Sequence, residues 1–182
     1  MIKIFIGGSR KISKLSSEVE RKLDAILAKG TPVAVGDANG ADKAVQQHLH
    51  SRGYRKVEVF CSGDRCRNNV ANWPARQITA SSSRRDFDFY AAKDIQMARE
   101  ASSGLMIWDG ESAGTLMNVL RLVKLNKSVT IYEAPKHQFR ELKTESDWHD
   151  LFSTCSNEIR NRIEKLSASE REVLPPIQAS LL

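Results

Sequence analysis

Ile2-Lys3-Ile4-Phe5-Ile6-Gly7-Gly8-Ser9-Arg10 opens the chain, and its reading decides the fold. A short apolar run gives way at once to a turn of two glycines and a serine. Just beyond, Leu15, Val19, Leu23, Ile26 and Leu27 recur at helical spacing. The pattern is a buried strand feeding a helix through a tight turn. It returns twice. Residues 32–35 run into Gly36-Asp37-Ala38-Asn39-Gly40-Ala41-Asp42, and residues 105–108 run into Asp109-Gly110-Glu111-Ser112-Ala113-Gly114-Thr115. Apolar runs alternating with helical patterns specify a parallel sheet with helical crossovers. In such sheets ligands bind at the carboxyl ends of the strands, where strand order reverses. Backbone N–H groups exposed at helix starts attract anions there.

The remaining elements extend the pattern. Ser17 and Glu20 read as a capping box for the first helix, and Gly30 stops it. Pro32 stands at the first position of the second strand, where a ladder donor is dispensable. Ala41, Ala44, Val45, His48 and Leu49 mark a second helix ended by Gly53, and residues 57–61 form a third strand. Residues 62–86 show no clear period and carry five arginines against two aspartates. A loop this long in a compact domain points to function or disorder. Asp86 is placed to cap a helix over 87–101. Residues 105–108 form the fourth strand, and Leu116, Leu120 and Val123 stripe the helix over 112–125. Residues 129–132 form the fifth strand, closed by Pro135. Beyond it, Ile159, Ile163 and Leu166 predict an amphipathic helix, and Pro175-Pro176-Ile177-Gln178 reads as a loose end.

Composition sets the bounds. The chain has 182 residues, 41% hydrophobic and 27% charged, as expected of a soluble globular domain with a real core. The formal charge of +6 permits anionic partners without specifying one. The three cysteines, Cys61, Cys66 and Cys155, form no framework spacing, which argues against a disulfide scaffold and for a reducing, cytoplasmic setting. The His residues show no metal spacing, and no metal or cofactor is implied. No apolar run approaches a membrane span.

Three constellations carry the chemistry. Gly7, Gly8 and Ser9 let a ligand approach the backbone, and Arg10 is placed to pair with a phosphate. In the second turn Gly36 and Gly40 open the start of a helix, Asp37 and Asn39 stand beside it, and Asp42 lies just inside; Asp37 is a candidate for ribose hydroxyls, and Asp42 for either the pocket or the helix dipole. In the third, Ser112, Gly114 and Thr115 present donors at a helix N-terminus, flanked by Asp109, Gly110 and Glu111. Asp109 and Glu111 are candidates to orient a ribose or to work as acid or base. Arg65, Arg67, Arg76, Arg84 and Arg85, with Trp73 among them, suit a single strand or a nucleotide. Trp108 reads as core or pocket wall. Lys93 and Asp94 read as a solvated pair or as pocket residues.

Together the three turns resemble the SLOG superfamily, the Rossmann-like group that includes the DNA-processing protein DprA, the LOG nucleotide hydrolases and small bacterial and phage proteins. The resemblance covers residues 1–134. It implies a nucleotide or nucleotide-derived ligand at the carboxyl edge of the sheet, and homodimerisation through a helix face. The LOG enzymes carry Pro-Gly-Gly-x-Gly-Thr-x-x-Glu. This chain keeps Gly114-Thr115 but has Asn118 where the glutamate stands, and a neutral amide cannot attack or stabilise an oxocarbenium-like centre.

The expected fold is therefore α/β: a three-layer Rossmann-like domain over 1–134 with a mostly parallel sheet of at least five strands, and a helical C-terminal extension over 135–182. The expected function is binding or sensing of a nucleotide. The alternatives are an N-glycosidic hydrolase working through Asp109 or Glu111, and DprA-like binding of single-stranded nucleic acid.

Overall fold

The computed structural model describes residues 2–79 and 87–170. The expected Asp86 cap, Arg84, Arg85 and the Pro-rich end lie outside them. Seven strands make one sheet: β1 (Ile4–Gly8), β2 (Val33–Gly36), β3 (Val57–Ser62), β4 (Ala75–Ile78), β5 (Ser103–Trp108), β6 (Ser128–Glu133) and β7 (Gln138–Leu142). Their order is β4-β3-β2-β1-β5-β6-β7. All neighbours pair parallel except β6 and β7, which are antiparallel. Six α-helices accompany them among the described residues: α1 (Ser17–Ala28), α2 (Ala41–Ser51), α3 (Phe87–Glu100), α4 (Ala113–Lys124), α5 (Glu145–Ser153) and α6 (Asn157–Ser169).

The central strands are apolar throughout because both faces of the sheet are covered. Ile6, Val35, Val59 and Ile107 pack with Val19 and Leu23 of α1 and Val45 and Leu49 of α2. Phe5, Ala34, Phe60 and Met106 pack with Met97 of α3 and Leu116 and Val119 of α4. Trp148, Leu151 and Ile163 of α5 and α6 extend this second core beyond α4. The result is the three-layer Rossmann-like architecture expected from the alternation of elements.

Several local readings are corrected. The segment over 62–86 contains β4, whose burial alternates between exposed and half-buried positions. The C-terminal extension contributes β7, also largely exposed. Both are edge strands, so neither carries the apolar run that marks a buried one. The cap of α1 is Ser16, whose hydroxyl accepts from the Val19 N–H at 3.4 Å, rather than Ser17 with Glu20. Cys61 and Cys66 are joined by a disulfide, contrary to the reading of their spacing, while Cys155 is a buried free thiol. No helix among the described residues is long and apolar enough to cross a membrane.

One buried ion pair ties α6 to α4. Arg121, 1% exposed, directs its guanidinium to Glu170, with Nε donating to Oε2 at 3.0 Å. Removing one member of a buried pair leaves the other charge uncompensated. Glu170→Ala is therefore expected to lower the unfolding free energy by about 3 kcal/mol in urea denaturation. An unchanged midpoint and slope would show that the pair does not hold α6.

Candidate functional site

Strand order reverses at β1, which has β2 on one side and β5 on the other. The turns leaving β1 and β5 meet at this point. Ser9, fully buried, is the pin between them. Its N–H donates to the Ile107 carbonyl at 2.9 Å, and its carbonyl accepts from the Ala41 N–H at 3.1 Å at the start of α2. Its hydroxyl accepts from the Asp109 N–H at 3.1 Å and lies 3.0 Å from the Thr115 hydroxyl. Thr115 in turn donates to Ser112 Oγ at 3.1 Å. The Ser9 proton thus goes to Thr115, and one residue, through its hydroxyl and its backbone, joins all three sequence turns. Gly40 has φ of +84° and precedes α2; a Cβ there would stand 2.2 Å from the Arg10 carbonyl oxygen. Only glycine serves at that crossing.

A cavity of about 940 Å³ opens over this junction. Of the residues expected in a site, Gly8, Arg10, Asp42, Asp109, Gly110, Glu111, Ser112, Gly114, Thr115 and Asn118 line it. Tyr90, Lys93 and Asp94 from α3 do so as well, and Arg67 stands at its mouth. Trp108 is part of the wall, its indole N–H donating to the Ser112 carbonyl at 3.2 Å. The wall also includes Ser156, Ile159, Arg162 and Leu166, from α6 and the turn before it.

Other expected residues frame the cavity. Asp37, 1% exposed, is held by Arg67: Nη2 donates to Oδ1 at 2.6 Å, and Nε and the backbone N–H donate to Oδ2 at 3.1 and 2.9 Å. This bidentate pair raises the Arg67 pKa despite its partial burial. Asn39 accepts from the Asn68 amide at 3.0 Å. Asp37 and Asn39 therefore fasten the chain after β3, whereas the ribose was expected on Asp37. Gln46, missed in the sequence, completes the fastening: it accepts from the Val70 N–H at 2.9 Å and donates to the Gly36 carbonyl at 2.8 Å. Gly7 and Gly36 are not in the lining but stand beside Asp42, which is.

The fastening aims Arg67 at the pocket. Its guanidinium lies 4.4 Å from the centre of the Tyr90 ring, and that of Arg10 lies 5.4 Å from the same ring. Arg76 instead pairs with Glu58 and Glu100 at the sheet edge, and Trp73 is buried with its N–H on the Tyr54 carbonyl. Asp109 Oδ1 accepts from the N–H groups of Glu111 and Ser112 at 3.0 and 2.8 Å, so this carboxylate holds the turn. Glu111 points to solvent and pairs with Lys11.

Behind the donors lies a charge cluster of Lys93, Asp94 and Asp42; of the two readings the sequence left open for Lys93 and Asp94, the pocket one matches their place on the cavity lining. Lys93, 4% exposed, donates to Asp94 at 2.6 Å and lies 3.8 Å from Asp42. Asn118 donates to Asp94 at 3.3 Å and accepts from Arg121. Burial opposes the Asp94 charge, but Lys93 and Arg121 outweigh it and hold that carboxyl below its ordinary range. Burial likewise opposes the Lys93 charge, and the two aspartates overcome it. Asp42 is the weakly compensated member. Burial raises its pKa to about 6, only partly offset by Lys93. One signal was available: Tyr90, Lys93 and Asp94 stand at i, i+3 and i+4, the spacing that puts residues on one helix face.

No protein-family model matches the chain, and no curated protein matches it. Among solved structures, it is similar to DNA processing protein A from Helicobacter pylori, a structure described for its single-stranded DNA binding mode. The TM-score is 0.57 at 12% identity, covering 92% of this chain and 81% of that one. The likeness is one of fold.

Ser9→Ala removes the acceptor of the Asp109 N–H and the partner of Thr115, and is expected to cost about 1–3 kcal/mol in denaturant unfolding. A loss within error would remove Ser9 as the pin. Asp42 gives a second test. The unfolded chain releases its proton near 3.8 and the folded state near about 6, so the folded state binds the extra proton between them. Its contribution therefore lowers stability as pH rises through that window, by up to about 3 kcal/mol, and the lower level persists above it. Asp42→Asn is expected to lack that fall in urea unfolding compared from about pH 4 to about pH 7. Parallel curves for the two proteins would contradict the assignment.

Proposed function

We propose that the carboxyl edge of the sheet binds one phosphate-bearing nucleotide unit, and that the unit arrives as part of single-stranded nucleic acid. The observation that carries this reading is the mouth of the cavity, where Arg10 and Arg67 flank the Tyr90 ring. Cations on an aromatic suit a strand: the ring or a guanidinium plane stacks a base while the charges meet phosphate. Inside, the start of α4 offers its first N–H groups and the Ser112 hydroxyl to the phosphate, with Thr115 holding Ser112 in place. The sequence resemblance to the superfamily containing DprA supports the reading, as does the fold shared with a protein whose single-stranded DNA binding is described.

A second reading, a free nucleotide, is favoured by one feature. Ser156, Ile159, Arg162 and Leu166 add a further wall to the cavity, and its volume of about 940 Å³ falls within the range of small-molecule sites. Hydrolysis through Asp109 or Glu111 has weaker support, because the first carboxylate is engaged in its turn and the second in an exposed ion pair.

Fluorescence anisotropy with a labelled oligonucleotide, beside calorimetry with mononucleotides, separates the readings. The first predicts tight, salt-steep binding of single strands, weaker binding of duplex, and losses of about tenfold or more for Arg10→Ala and Arg67→Ala. Each variant should also flatten the slope of log affinity against log salt by about 0.7 for every phosphate that the missing arginine would have neutralised. Mononucleotide binding without strand binding would leave the second reading in its place. Binding of neither would overturn both.

A further inference from the structure

The most unusual group in the cavity is the Asp42 carboxylate. It is 5% exposed, lines the cavity and sits in the first turn of α2. Its Oδ2 accepts from the Ala38 N–H at 3.2 Å and faces Lys93 at 3.8 Å. Lys93 is itself committed to Asp94 at 2.6 Å. Among the described residues no hydrogen bond reaches Asp42 Oδ1.

The backbone makes room for this arrangement. A Cβ on Gly36 would stand 2.3 Å from Asp42 Oδ2 and 2.5 Å from Lys93 Nζ, and one on Gly7 would meet Asp42 Oδ1 at 3.5 Å. Ile6 pairs with Val35, so Gly7 and Gly36 follow side by side at the ends of β1 and β2. The missing side chain of Gly36 makes the room, and the carboxylate also lies within ordinary contact distance of Gly7. A buried carboxylate accepts hydrogen bonds and needs donors to remain charged. Its neighbours supply one N–H and a distant, shared ammonium, which leaves Oδ1 for a donor from the ligand.

We infer that Asp42 receives a sugar hydroxyl of the bound nucleotide unit, so that the site selects ribonucleotides over deoxyribonucleotides. This rests on the nucleotide reading above and names the class of nucleotide. The sugar, rather than the base, is assigned from position. Ala41, next to Asp42, bonds to Ser9, and Ser9 bonds to Thr115 at the phosphate-facing start of α4. The part of a nucleotide nearest its phosphate is its sugar. The donor that the sugar gains in ribose is the 2′-hydroxyl, which is what lets a protein tell RNA from DNA at a given position. A site built around a hydroxyl rejects an analogue lacking it, because the buried acceptor is then left unpaired.

The test compares oligoribonucleotides and oligodeoxyribonucleotides of one sequence, and the corresponding mononucleotides, on the wild-type chain and on Asp42→Asn. The expected result is a ribose preference of about ten- to a hundredfold in the wild type, reduced in Asp42→Asn, whose amide oxygen still accepts but without the charge, through weaker ribose binding. Equal wild-type affinity for the two sugars overturns this inference while the nucleotide reading stands. Deoxyribose preference also overturns it. Failure of every ligand to bind overturns the nucleotide reading and the inference together. The wild-type comparison needs no variant, so it remains decisive even where Asp42→Asn folds poorly.

Discussion

Everything at the carboxyl edge depends on one buried serine. Ser9 closes the turn after β1 against the backbone of β5, receives the start of α2 on its carbonyl, and joins the start of α4 through Thr115. A parallel sheet brings strand ends together but does not set the distances between the loops that leave them. Here a hydroxyl, a carbonyl and an N–H of one residue set those distances. Asp109 adds a local clamp by accepting the next two turn N–H groups. The donors that face the cavity are therefore held before any ligand arrives, which reduces the ordering cost of binding.

Around this pin the chain buries more charge than its core requires. Lys93, Asp94, Asp42, Arg121 and Glu170 form a connected set running from α2 through α3 and α4 to the end of α6. Such clusters seldom add stability over apolar packing. Their value here is positional. Arg121 and Glu170 bring α6 against α4, close to the wall that Ile159 and Leu166 give the cavity. Lys93 divides its charge between two aspartates and leaves Asp42 the less satisfied one, at the cavity surface. The disulfide between Cys61 and Cys66 lies immediately before Arg67, so the cation at the mouth is anchored covalently on one side and by Asp37 on the other.

The legible parts of the sequence were those in which one short segment carries the whole signal. Residues 32–42 and 105–115 each contain a strand, a turn and a helix start, residues 2–10 a strand and a turn with the helix following at Ser17, and their apolar runs reflect burial on both faces. β4 and β7 were illegible because edge strands need no such run: Ala75-Arg76-Gln77-Ile78 alternates, and Gln138-Phe139-Arg140-Glu141-Leu142 has one fully buried position. The turns that mark the candidate site were legible, and Arg10, Ser112, Gly114, Thr115 and Asn118 line one cavity. What the sequence could not convey was direction. Asp37 and Asp42 stand five residues apart in one turn, yet the first faces Arg67 and the second faces the cavity, a choice made by the chain after β3 and by α3. The pairing of Lys93 with Asp42 spans elements and leaves no local trace beyond the helical spacing around Tyr90.

The central claim is that the crevice pinned by Ser9 is where the ligand sits. Backbone amide shifts followed by NMR during titration with a single-stranded oligonucleotide test it most directly. The largest saturable changes are expected at Gly8, Ser9, Gly114 and Thr115, with smaller ones around Arg67 and Tyr90. Changes confined to the β4 edge or to the outer face of α5 and α6, with those four amides unmoved, would contradict it.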